Sequence, residues 1–180
     1  MLLYSQYMNF PIDYWLLQRI QSLSVFLQGW IGGDNFVYAR VLFRVELVLI
    51  AIRVFLQEGL TPVGTAIRLL TYYLVVGFVG LIGWYGEKMC QSSPGCKNPN
   101  ERAFATLRLL SLAAITLSTV ILYLLILALA AGESVSLRFS VAAFFEDVNW
   151  FMYLYFASCT PLPPKPKERK TFENVAFQGA

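Results

Sequence analysis

Apolar stretches of about twenty residues dominate the chain and restrict the folds open to it. The clearest lies between Ala103 and Ala131 and contains LLSLAAITLSTVILYLLILALAA. A helix made from about twenty apolar residues matches the hydrocarbon thickness of a bilayer. Only 14% of the 180 residues are charged, whereas a typical soluble domain has about 25%. The sequence therefore favours a membrane protein over a soluble all-helical domain.

Four such stretches predict an all-α polytopic membrane protein with four transmembrane helices. Their predicted bounds are 36–56, 63–85, 103–131 and 137–158. Breaks rich in glycine, proline or polar residues separate them, as expected of turns. Together the four helices form one membrane domain over residues 36–158. A tail rich in proline and lysine follows over residues 159–180.

The first 35 residues predict an amphipathic helix that lies in the membrane interface. Pro11 and Asp13 suit a helix start, and the helical pattern continues to Trp30. The apolar face comprises Leu16, Ile20, Leu23, Leu27 and Trp30. Glutamines gather on the opposite face, and overall hydrophobicity is modest, which is typical of an interfacial helix. A transmembrane helix packed inside a bundle is the alternative.

The distribution of lysine and arginine predicts how the helices are oriented. One side of the membrane receives Arg19, Lys88, Lys97, Arg102, Lys165, Lys167, Arg169 and Lys170. The other side receives only Arg138. Because positively charged loops remain in the cytoplasm, we expect both termini and the central loop there. In a bacterium the protein would lie in the inner membrane.

Charged residues inside the predicted spans are the main candidate functional residues. Each costs about 2.5 to 3.5 kcal/mol at mid-span unless it is paired or faces water. Arg53, Arg68, Glu146 and Asp147 fall at similar depth, so we expect the two arginines to pair with the two acidic residues. Glu46 lies nearer mid-membrane, on the helix face of Arg53. This charged layer either fixes helix packing or forms a polar pathway or sensor.

Arg40 and Arg44 lie one helical turn apart on the opposite face of the first span. They are nearer the cytoplasmic end, where long basic side chains extend to the interface. We therefore expect both to contact anionic lipid headgroups. A voltage sensor is disfavoured, because the arginines of this span lack a regular spacing and lie on two faces.

Two sets of small residues predict close approach of helices. Gly77, Gly80 and Gly83 recur every third residue in the second span, and Ala114 and Ser118 lie one turn apart in the third. Small side chains allow neighbouring helix backbones to come close in a membrane. Packing within one chain is the favoured interpretation, and an interface between protomers is the alternative.

The residue types present argue against metal, cofactor and nucleic-acid binding. The chain has no histidine, and its net charge is only +3, which is too small and dispersed for a nucleic-acid interface. Cys90 and Cys96 would need two further ligands to bind zinc and lack the spacing of a redox pair. Cys159 follows the last span and is a candidate for palmitoylation in a eukaryote.

The tail carries Phe172, Val175 and Phe177 within an otherwise polar segment. Apolar anchors in an extended segment are a known means of protein recognition, so these residues predict a docking site for a cytoplasmic protein. No catalytic motif occurs. We therefore expect a non-enzymatic subunit that forms homo-oligomers in the bilayer and anchors or signals to that partner. The alternative is a small oligomeric channel or transporter whose pore is lined by intramembrane Arg, Glu and Asp.

Overall fold

The computed structural model describes residues 11–57, 61–92, 97–132 and 137–161, and these residues contain helices and no strand. The helices are α1 (Pro11–Trp30), α2 (Asn35–Leu56), α3 (Pro62–Ser92), α4 (Asn100–Ala103), α5 (Ala105–Ala130) and α6 (Arg138–Ser158). α2, α3, α5 and α6 coincide with the four predicted spans, and α1 with the predicted N-terminal helix. α3 extends beyond its predicted end, and the short α4 is an addition.

The turn between α1 and α2 follows from two residues. Gly32 has a φ of 88°, a left-handed conformation that commonly ends a helix and that glycine adopts without strain. The Asp34 side chain then accepts a hydrogen bond from the backbone N–H of Val37 at 2.8 Å. This contact satisfies one of the free N–H groups in the first turn of α2.

α6 is the central helix of the bundle. α2 and α5 pack on α6 and run antiparallel to it, and α3 packs on α2. We call one end of the bundle the asparagine end: α2 and α5 begin there at Asn35 and Ala105, and α4 lies beside them. α1 contacts α5 and α6 at this end. The opposite end, where α2 is followed by α3 and α5 by α6, is the turn end.

An aromatic cluster fills the bundle between its polar regions. The ring of Tyr153 lies 5.5 Å from that of Phe43, 6.4 Å from that of Phe104 and 5.2 Å from that of Trp150, centroid to centroid. These separations are typical of favourable aromatic pairs. The cluster joins α2 and α6 to Phe104, the residue between α4 and α5.

Among the described residues, two helices are long and apolar enough to cross a membrane, α3 and α5. None of the most apolar 18-residue stretch of α5 is buried inside the protein. α2 and α6 are also long enough, at about 33 and 32 Å for a rise of 1.5 Å per residue. However, α2 carries four charged residues and α6 carries three. Length and composition therefore identify two candidate spans rather than the predicted four.

Candidate functional site

An ion pair joins α2 to α6 in the charged layer. Nη1 of Arg53 donates to Oε1 of Glu146 at 2.8 Å. The guanidinium group also lies over two aromatic rings, 5.8 Å from the centroid of Tyr72 and 5.5 Å from that of Phe139. Cation–π contacts of this kind stabilise a partly desolvated arginine. The arginine is thus surrounded by groups that balance its charge.

The remaining acidic residues of the layer bind polar side chains on neighbouring helices. The Asn149 amide donates to Oε2 of the buried Glu46 at 2.7 Å and to the Leu42 carbonyl at 3.0 Å. The Ser118 hydroxyl of α5 donates to Oδ2 of Asp147. These contacts connect α6 to α2 and to α5. They satisfy polar atoms that would otherwise be costly to bury.

Arg68 does not join the acidic residues of α6, contrary to expectation. Its Nη1 donates to Oε1 of Gln57 at the turn end. α3 packs chiefly on α2, so Arg68 has neighbours on α2 rather than on α6. The structure therefore pairs Arg53 with Glu146, while Arg68 and Asp147 each have an uncharged partner.

Arg40 forms an ion pair within the chain, which the sequence did not predict. Its Nη1 donates to Oε1 of Glu87 at 2.9 Å, with the arginine side chain 55% exposed and that of the glutamate 7% exposed. Glu87 accepts a second hydrogen bond from Gln91 at 2.8 Å. The exposed Arg44 has no hydrogen bond or ion pair to any described residue. The two arginines line one groove between α2 and α3.

A second ionic site, which the sequence reasoning missed, joins α1 to α5 and α6. Nε and Nη2 of Arg108 donate to the two carboxylate oxygens of Asp13 at 2.9 and 2.7 Å. Nη1 donates to the Ser158 hydroxyl at 2.8 Å and to the Glu101 carbonyl at 2.9 Å. The Tyr155 hydroxyl donates to Asp13 at 2.8 Å. Arg108 thus uses its rigid fork of donors to hold the ends of three helices together.

Asp13 lies in α1, outside the candidate spans, and its ionisation is coupled to this site. Burial raises its pKa, but hydrogen bonds from Arg108 and Tyr155 and the positive charge of Arg108 outweigh burial and leave the pKa below its usual value. The carboxylate is therefore charged at neutral pH. The sequence signal was a single arginine near the start of the most apolar span, where an unpaired cation is costly.

Three buried asparagines bind the C-terminal end of α6. The Asn35 amide donates to two carbonyls within residues 156–159, each at 3.1 Å. The Asn98 amide donates to two carbonyls in that range at 2.9 and 2.7 Å. The Asn100 amide donates to one of them at 3.3 Å and to the Gly83 carbonyl at 3.1 Å. The last carbonyls of a helix lack intrahelical partners, and these amides supply them.

The predicted small residues of α3 and α5 face the interior of the bundle, except for Gly77. A Cβ atom at Gly80 or Gly83 would lie 2.6 Å from an aromatic side chain of α2 or α6, whereas one at Gly77 would have nothing within 4 Å. Ala114 and Ser118 are half-buried, and the Ser118 hydroxyl oxygen lies 2.9 Å from the Ala114 carbonyl oxygen. The predicted glycine stripe therefore divides between two faces of α3.

The buried cysteines offer no accessible thiol at the described sites. Cys90 and Cys159 are both buried. Burial raises the pKa of Cys159 to about 12, although the charge of Arg108 opposes the shift. Cys159 is thus a poor palmitoylation site, because α1 covers it and its thiolate is disfavoured. Cys96 lies outside the described residues.

The predicted docking residues Phe172, Val175 and Phe177 also lie outside the described residues. No group of three or more His, Cys, Asp or Glu side chains with metal-binding geometry occurs in the part of the chain that the structure describes. No protein-family model matches this sequence, and no curated protein or solved structure is significantly similar to it.

Proposed function

We propose that this chain is a non-enzymatic integral membrane subunit in which α2, α3, α5 and α6 all span the bilayer. The observation that supports the proposal is that charged side chains face the interior of the bundle, whereas large apolar side chains face outward. Glu46, Arg53 and Glu146 face partners on neighbouring helices, whereas large apolar side chains on α3 and α5 are exposed. This pattern suits lipid, because charged groups inside a membrane face the bundle interior and pair there.

α1 fits an interfacial position at the asparagine end. Its inner face contributes the buried Ile20 and Ser24. On the outer face Trp15, Phe26 and Trp30 are exposed, and tryptophan is enriched where headgroups meet hydrocarbon. With this end in the cytoplasm, the loop after α3 and the tail after α6 would both face a cytoplasmic protein.

Self-association of the subunit is supported by the uncovered surface of α3 and α5. Exposed apolar side chains follow the length of α5, from Leu110 to Leu129. Such a face is stable against lipid or against a second copy, and Gly77 offers close approach on α3. In this proposal the homo-oligomer presents several copies of the tail, whose aromatic residues bind the partner.

Membrane topology is the first measurement for this proposal. Single cysteines would be introduced at Ile31, Gln57, Lys97, Ala131 and Thr160 in a variant whose native cysteines are serine, and then labelled with a membrane-impermeant maleimide in intact cells. Labelling at Gln57 and Ala131 alone supports four spans, whereas additional labelling at Ile31 and Thr160 would show that only α3 and α5 cross the membrane. Labelling of Lys97 from outside, or protection of all five sites, contradicts the proposed orientation.

Oligomer formation and partner binding are then separable by truncation. The chain ending at Thr160 keeps every described helix, so it should retain its oligomeric mass in detergent, measured by light scattering. The same truncation should abolish cross-linking to the cytoplasmic partner. Retention of the cross-linked partner would show that the tail is not its docking site, and a monomeric mass for the full chain would contradict self-association.

A channel or transporter subunit is the second candidate, and one atom favours it. Oε2 of Glu146 is buried without a hydrogen-bond partner among the described residues. Such an oxygen would be satisfied by water or a cation in a polar pathway. The combined substitution Glu146→Gln and Asp147→Asn distinguishes the two candidates. A structural layer predicts loss of assembly, whereas a pathway predicts intact assembly with loss of ion flux in vesicles.

A further inference from the structure

A groove of about 220 Å³ lies between α2 and α3 near the asparagine end. It is smaller than typical sites for drug-sized ligands, which enclose about 300 to 1,000 Å³. Apolar atoms form most of its surface. The lining residues are Phe36, Ala39, Phe43, Gly80, Gly83, Trp84, Tyr153 and Ala157, with Arg40, Arg44 and Glu87. The groove is thus suited to a slender apolar chain that ends in a polar group.

The glycines of α3 explain the shape of this groove. A Cβ atom at Gly80 would lie 2.6 Å from the Phe43 ring, and one at Gly83 would lie 2.6 Å from the Tyr153 hydroxyl. Both rings therefore pack directly against the α3 backbone. Beside these two rings the α3 wall of the groove therefore has no side chain, and the α3 side chains that line the groove are Trp84 and Glu87, nearer the asparagine end.

The polar groups of the groove are predominantly positive. Arg40 forms its ion pair with Glu87 through Nη1, so other guanidinium donors of this exposed side chain remain available. Arg44 lies one turn further along α2 and has no hydrogen bond or ion pair to any described residue. Two arginines therefore face one glutamate, and the excess charge complements a phosphate group.

The depth of the groove agrees with a lipid headgroup. Trp84 is exposed and lies beside the Lys88 ammonium group, which is 5.9 Å from the ring centroid. From Pro62 to Trp84, α3 rises about 33 Å at 1.5 Å per residue, close to the roughly 30 Å of bilayer hydrocarbon. If α3 spans the bilayer, Trp84 and Lys88 lie at the headgroup level, where such residues are enriched.

We infer that this groove binds one anionic phospholipid, with an acyl chain against Phe43 and Tyr153 and the phosphate at Arg40 and Arg44. This inference rests on the proposed membrane location. A peptide helix is disfavoured as the occupant because the groove is too narrow for a helix of about 10 Å diameter. The positive rim favours an anionic headgroup over a zwitterionic one.

Fluorescence quenching of Trp84 tests the inference directly. A variant with Phe at Trp15, Trp30 and Trp150 keeps Trp84 as the single tryptophan. It would be reconstituted into phosphatidylcholine vesicles in which either phosphatidylglycerol or part of the phosphatidylcholine carries brominated acyl chains. The matched control moves the single tryptophan to the exposed position Phe78, through Phe78→Trp together with Trp84→Phe.

We expect quenching to show a local concentration of brominated phosphatidylglycerol at Trp84 about fivefold higher than that of brominated phosphatidylcholine. This ratio corresponds to the attraction of one basic side chain to an anionic membrane surface. Arg44→Gln should remove most of this preference, and Arg102→Gln should not. Arg102 is exposed and lies in α4, away from the groove. The tryptophan at position 78 should show no preference, and inorganic phosphate at constant ionic strength should not displace the lipid.

The remaining outcomes would contradict either the lipid site or the membrane location. Equal quenching of Trp84 by the two lipids, or a preference that survives Arg44→Gln, contradicts the lipid site while leaving the membrane location intact. Loss of the preference on addition of inorganic phosphate would show that the site binds a free anion. Absence of quenching at both positions 78 and 84 would contradict the membrane location itself, and with it the proposed function.

Discussion

The contact between Arg108 and Asp13 should be the most sensitive ionic contact of the described fold, and Arg108→Met tests this. The arginine side chain is 3% exposed and that of Asp13 is 13% exposed. Methionine keeps most of the apolar volume but removes all four hydrogen bonds that the guanidinium donates. The substitution leaves a largely buried carboxylate whose remaining partner is the Tyr155 hydroxyl.

The expected loss follows from that burial. Removing one member of a buried ion pair typically costs about 3 to 5 kcal/mol, because the other charge remains desolvated. The free energy of unfolding of a whole domain is about 5 to 15 kcal/mol. We therefore expect Arg108→Met to lower the unfolding free energy by about 3 to 5 kcal/mol and to loosen α1 from α5 and α6.

Reversible unfolding in mixed micelles, followed by tryptophan fluorescence, measures this loss. Arg102→Met is the matched control, because Arg102 is exposed and surface substitutions usually change stability by less than about 0.5 kcal/mol. Hydrogen exchange in α1 provides a second readout. Equal stability of the two variants, or unchanged exchange in α1 of the Arg108 variant, would refute the assignment of this contact as a clamp.

The same site predicts a dependence on pH, because the pKa of Asp13 is lower in the folded chain than in the unfolded chain. The charged carboxylate therefore stabilises the fold at pH values above its unfolded pKa of about 3.9. That contribution is lost as pH falls through the folded pKa. The stability difference between wild type and Asp13→Asn should be constant from about pH 5 to 8 and shrink below about pH 4. A difference that does not change down to pH 3 would contradict the coupling.

Three further predictions concern packing and the asparagine end. Gly86→Ala should destabilise the protein by about 2 kcal/mol or more, because the added Cβ atom would clash with the buried Asn100 side chain. Gly77→Ala should stabilise α3 by up to about 1 kcal/mol, because its added Cβ atom meets nothing and alanine favours a helix more than glycine does. Equal thermal midpoints for the two variants would contradict this. Asn98→Ala should cost about 1 to 3 kcal/mol in denaturant unfolding, because it removes two hydrogen bonds to carbonyls at the end of α6, each of which keeps one other asparagine donor; an unchanged midpoint would show that water or the remaining donors replace it. Glu146→Gln should destabilise the protein, and adding Arg53→Met should restore part of the loss; additive losses in the double-mutant cycle would contradict a coupled pair.

The sequence predicted the helices well, because apolar runs and turn residues are local signals. It placed the end of the second span at Tyr85, where hydropathy falls, but α3 continues to Ser92. Backbone hydrogen bonds do not require apolar side chains, and the ion pair of Glu87 with Arg40 supports the extension. Hydropathy thus reports where lipid-compatible side chains end, and the helix itself ends later.

Residue pairs were harder to predict than helices. Arg108 lies in the most apolar span, and its partner Asp13 lies 95 positions earlier in a helix that the sequence assigned to the interface. The residues Asn98 and Asn100 fall in a polar stretch that resembles a surface loop, yet both are buried. Periodicity identifies the face of a residue on its own helix and carries no information about the neighbouring helix, so these contacts had no local signal.

The distribution of polar contacts explains why α6 rather than α3 organises the bundle. If the four long helices span the bilayer as proposed, apolar surface gives little net attraction between them, so hydrogen bonds and close packing select the neighbours. α6 makes such contacts with α2, α4 and α5 through its polar side chains and terminal carbonyls. α3 is joined to α2 by hydrogen bonds at three widely spaced points, which involve Arg68, Tyr73 and Glu87. At the middle point the Tyr73 hydroxyl donates to the Leu47 carbonyl at 3.0 Å. Between these points its packing depends on glycine contacts, and the apolar side chains of its outer face are exposed.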